Sequence, residues 1–131
     1  MKNILLIALL FFSSLGFSQD QTQQLEEKIY ELSELDLKPE YSKGIEAFYK
    51  FIAKNFNIPE EEGLKGKIII SFVIENDGSL SNMKVLQDVG FDTGDEAIRV
   101  LKMSEKWKPG QKDGKTVRVL YSFPITIQSA S

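Results

Sequence analysis

The chain predicts an α+β domain, a three-stranded antiparallel sheet with two helices packed on one face, in the order helix, strand, strand, helix, strand. Three observations carry this. From Lys67 to Leu86 apolar and polar residues alternate on either side of Asn76-Asp77-Gly78, the pattern of a β-hairpin. Two stretches, Gly44 to Phe56 and Thr93 to Glu105, repeat apolar residues at three and four, the helical period. Thr116 to Gln128 alternates again.

The first residues read as a targeting segment. Lys2 supplies a positive start, Ile4 to Phe12 is an apolar run, and Gly16-Phe17-Ser18 offers small residues for cleavage before Gln19. The run is short for a membrane span of about 20 residues. A signal peptide is therefore expected at 1–18, a lead-in segment at 19–43 and the domain at 44–131. Leu25 to Leu37 reads as a short helical turn running into extended chain, and Pro39 biases Lys38 away from helix.

In the first helix Ile45, Phe48, Tyr49, Ile52 and Phe56 share a stripe, worth about 8–15 kcal/mol gross if all five are buried. Ile68, Ile70, Phe72 and Ile74 form one row of the first hairpin strand, and Gly78 takes the positive φ of the turn. Met83 and Val85 form the row of the second. Thr93 and Glu96 fit a capping box, the Thr93 hydroxyl accepting from the Glu96 amide while Glu96 reaches back. Ala97, Val100, Leu101 and Ser104 face inward from that helix, and Trp107 plugs the core at its exit. The last strand presents Val117, Val119, Tyr121, Phe123, Ile125 and Ile127 on one face. Pro124 marks it as an edge strand. The hairpin's first strand, the most apolar, belongs at the centre with the last strand beside it.

Composition excludes much chemistry. The 131 residues contain no Cys and no His, so Cys/His zinc sites, Ser-His-Asp triads and Cys-His pairs are ruled out. No cofactor, metal or enzymatic activity is expected. The net charge of −3 does not suit generic nucleic-acid binding. Charge is uneven, with eleven acidic and five basic residues from Asp20 to Glu62, against seven basic and two acidic from Arg99 to Arg118.

Taken in order, these pieces resemble the C-terminal domain of TonB, which couples inner-membrane energy to outer-membrane receptors. The resemblance rests on Gly66, the strand Lys67–Glu75, Asp77-Gly78-Ser79, Met83–Val89, Gly90-Phe91, Asp95-Glu96-Ala97, Trp107-Lys108-Pro109, Gly114-Lys115 and Pro124-Ile125. Leu35–Tyr41 and Gly44–Phe48 look like the lead-in of one branch of the family. The resemblance implies a protein-binding module of envelope transport, exported to the periplasm or beyond. Its partner would be a receptor segment or another envelope protein, with no membrane contact beyond the signal peptide. The alternative is a free-standing exported domain that binds cell-wall material or an envelope protein with no role in energy transduction.

Backbone parity names the docking residues. N–H and C=O alternate sides along a strand, and Pro124, lacking an N–H, fits best where that group faces away from the neighbouring strand. Arg118, Leu120 and Ser122 then also face outward. An added strand would pair there, with Pro124 as its limit.

Overall fold

The computed structural model describes residues 28–129; the signal peptide expected at 1–18 lies outside the described residues. In chain order the elements are β1 (Ile29–Tyr30), a 3-10 turn (Leu32–Glu34), α1 (Ile45–Asn55), β2 (Lys65–Ile74), β3 (Leu80–Gln87), α2 (Thr93–Leu101), β4 (Gly110–Lys112) and β5 (Lys115–Gln128). The sheet order is β1-β5-β2-β3, with β4 paired to β5 off that path. The class is α+β with two helices, as the sequence predicts, but the described residues form five strands rather than three. The two additional strands, β1 and β4, are too short to show a period of two.

β2 is flanked by β5 and β3, the place its apolar content predicts. It pairs antiparallel with β5 without a register shift, from Lys65↔Gln128 to Ile74↔Val119. Its pairing with β3 is interrupted by two shifts. The apolar rows of β2 (Ile68, Ile70, Phe72, Ile74) and β5 (Phe123, Ile125, Ile127) share one core with Phe48 and Ile52 of α1 and Ala97, Val100 and Leu101 of α2. Both helices therefore serve one sheet face.

The five-residue stripe expected on α1 is narrower than predicted. Phe48, Ile52 and Phe56 are buried, whereas Ile45 is 43% and Tyr49 51% exposed. The gross burial term falls to about 5–9 kcal/mol, itself an upper bound because the unfolded chain hides some of this surface. Periodicity finds the stripe, but the boundary of the stripe depends on what packs against it.

Trp107 is buried among rings, with centroids 4.8 Å from Phe48, 5.3 Å from Tyr121 and 5.6 Å from Tyr41. Its backbone N–H donates to Gly78 O at 2.9 Å, tying the hairpin turn to the segment after α2. Gly78 has φ +89°, and a Cβ there would lie 1.9 Å from Trp107 O. Both the turn and this approach require glycine.

The capping box predicted at Thr93 and Glu96 does not form. Asp92, with φ 59°, is the residue before the helix, and Thr93 is already its first turn. A capping hydroxyl needs an extended backbone, which Thr93 lacks because Phe91 and Asp92 have turned the chain through left-handed geometry. The Thr93 hydroxyl instead donates to Gly90 O at 2.7 Å and accepts from the Val89 N–H at 3.3 Å. Glu96 accepts from the Asn57 N–H at 2.7 Å and pairs with Arg99 at 2.7 Å, fastening α2 to the end of α1. The helix ends at Leu101, short of Glu105.

Residues before α1 are also pinned to the sheet. Leu37 bridges to Gln111 and Glu40 to Lys108, and Tyr41 lies in the core.

Candidate partner-binding edge

The orientation of β5's backbone follows from one hydrogen bond and the register. Ser129 N–H donates to Leu64 O at 2.8 Å. This extends the unshifted β2–β5 ladder by one pair. In an antiparallel ladder every second pair exchanges hydrogen bonds. Val119, Tyr121, Phe123, Ile125 and Ile127 therefore turn their backbone groups to β2. Arg118, Leu120, Ser122, Pro124, Thr126 and Gln128 turn theirs the other way, and the absent N–H of Pro124 takes nothing from the ladder.

That outward side is not open along its whole length. β1 lies parallel to β5, with Ile29 opposite Arg118 and Tyr30 opposite Val119. Arg118, expected on an open edge, thus faces a strand contributed by residues just before the 3-10 turn. Because Val119 faces β2, the parallel Tyr30↔Val119 pair is made through its neighbours, so the Leu120 N–H is also turned to β1. From Ser122 through Pro124 to Gln128 no strand is paired on that side among the described residues. Leu120 is 45% exposed, and Ser122 and Pro124 are exposed.

The Arg118 side chain is committed elsewhere. Directly across the ladder, Glu75 receives it at 2.7 Å (Nε to Oε1) and 3.1 Å (Nη2 to Oε2), and Ser81 donates a short hydrogen bond to the same carboxylate. The Arg118 guanidinium is the main cause that lowers the Glu75 pKa from its ordinary 4.5, Ser81 adding to it and partial burial opposing it.

Beside the open stretch lies an apolar groove of about 420 Å³ between α1 and β5. Tyr49, Ile52, Phe56 and Ile58 form one wall, and Phe123, Pro124 and Ile125 lie on the strand side. The Tyr49 ring sits 4.9 Å from that of Phe123. Sequence reasoning placed Tyr49 in the core and did not single out Ile58, which lies in the loop before Pro59. The signal that could have found it is a large apolar residue just past a helix that already has its buried stripe. No group of three or more His, Cys, Asp or Glu residues is placed to hold a metal among the described residues.

These features define a class, a small α+β domain that keeps part of its last strand's edge open beside an apolar groove. Within that class the chain belongs to the family of Gram-negative bacterial TonB protein C-terminal domains, which matches residues 58–126. It is thus a TonB-like domain of envelope transport. The solution NMR structure of the TonB C-terminal domain from Pseudomonas aeruginosa is similar, with 20% identity, a TM-score of 0.42, and coverage of 79% of this chain and 98% of that one. No curated protein matches the chain. No helix among the described residues is long and apolar enough to cross a membrane.

Proposed function

We propose that the domain binds a protein partner of the cell envelope by taking an extended segment onto the open edge of β5, from the Leu120 C=O through Ser122 and Pro124 and, beyond the limit expected at Pro124, onward to Thr126. The observation that carries this is the run of outward-facing backbone groups beside the α1–β5 groove. The edge supplies main-chain hydrogen bonds, and the groove supplies pockets for alternate side chains of the added strand. Pro124 can accept but not donate, so it weakens the pairing locally and biases its register. Export with removal of residues 1–18 is part of this reading, and an intact mass beginning at Gln19 would support it.

Site-specific photo-crosslinking in intact envelopes tests the docking. A photoreactive residue at Ser122 or Thr126 should link to a partner, and one at Lys84 on β3 should not. Crosslinks only from Lys84, or equal yields from all three, would remove the β5 edge as the docking site.

A further inference from the structure

A second concavity, of about 270 Å³, lies on another flank of α1. Tyr41, Ala47 and Phe51, buried or half-buried, line it together with the exposed Lys43, Lys50 and Lys54. At 100° per residue, Lys50 and Lys54 centre about 100° around the helix from Tyr49 and Ala53, which border the β5 groove, although Ala53 and Lys50 are near neighbours on the wheel. Glu105 also lines the concavity and accepts a hydrogen bond from the Ser42 hydroxyl at 3.0 Å.

Helix stability does not account for this set of charges. Lys43 stands just before the helix N-terminus, where the dipole disfavours a cation. Lys50 and Lys54 are like charges four residues apart, an unfavourable spacing. Glu46 stands four residues before Lys50, in the favourable order, yet no ion pair forms between them. Among the described residues none of the three lysines has a carboxylate within 4.0 Å. Only Lys54, in the last turn, gains from the dipole. Among the described residues, three lysines with no carboxylate within 4.0 Å thus line one apolar-floored groove against the single carboxylate of Glu105, in a chain whose net charge is −3.

We propose that this groove binds an extended acidic polypeptide segment of a partner, with carboxylates on the lysines and an apolar side chain against Ala47 and Phe51. The shape favours a polypeptide over a membrane, because the lysines rim a concavity and the exposed Ile45 and Tyr49 of α1 lie on the other flank. The site is separate from the β5 edge and does not depend on strand addition there.

The probe is a short synthetic peptide alternating glutamate and leucine, titrated into the isotope-labelled chain and followed by amide NMR shifts. Shifts should centre on Lys43, Ala47, Lys50 and Phe51 and vanish at about 0.5 M salt, where the Debye length is only a few ångströms. The triple change Lys43→Gln, Lys50→Gln, Lys54→Gln should weaken binding by roughly tenfold, the sum of three modest charge contacts. Lys84→Gln should change nothing, and Lys50→Arg should bind like the unaltered chain. All of these residues are exposed, so an unchanged urea midpoint separates lost binding from lost folding. Absent shifts, shifts confined to Ser122–Thr126, equal affinity in the triple variant, or binding to anionic vesicles in place of the peptide would each overturn the proposal.

Discussion

Single side chains divide here into those that hold the core and those that hold its joints. Trp107 fills the space between α1, β2 and β5, so Trp107→Ala should cost about 3–5 kcal/mol in urea unfolding, the range for deleting a large buried aromatic. A loss under about 0.5 kcal/mol would mean the ring contributes little. Thr93→Val keeps the volume but strips the Val89 N–H of its partner and leaves Gly90 O with only the backbone N–H of residue 93, and a loss of about 1–3 kcal/mol is expected. Glu75 gives a pH signature. Its folded pKa is depressed, so its contribution is present above the unfolded value near 4.5 and is lost as pH falls through the folded value. The urea midpoint should therefore drop on acidification below about pH 4.5, and less so in Glu75→Gln. At this scale the sequence identifies Trp107 and Gly78 as turning points. It does not reveal Thr93's partners, because a hydroxyl before an acidic residue fits both a cap and a loop clamp. Only the left-handed Asp92 separates the two.

Elements with strong periods are legible, and elements defined by a neighbour are not. β2, β5 and both helices follow from alternation or 3.6-residue repeats over eight or more residues. β1 and β4 have two and three residues and exist as strands only because β5 lies next to them. That is why the edge at Arg118 looked open in the sequence. Amide exchange of the unbound chain tests the pairing directly. Ser122 and Thr126 should exchange fast while Tyr121, Phe123 and Ile125 stay slow. Slow exchange at Ser122 would mean the edge is covered, and slow exchange at odd and even positions alike would place β5 inside the sheet.

At the scale of the whole molecule, one sheet face meets both helices and the core is continuous from Tyr41 to Ile127. That arrangement was legible because every strong apolar row points to one side. The α1–β5 groove was not, since it is made by the gap between a helix and a strand far apart in sequence. The long β2–β5 ladder has a kinetic meaning as well. The central strand acquires its main partner from the far end of the domain, with Lys65 meeting Gln128. Such distant pairing makes folding slow, because the loop between the strands must close before their contacts form. On the export route proposed above, a chain threading through a channel N-terminus first would stay without a closed core until β5 has emerged, and translocation would set the timing of folding. A fragment ending at Gly114 should accordingly show no slowly exchanging amides. Protected amides in β2 of that fragment would show that the hairpin and helices hold together without the last strand.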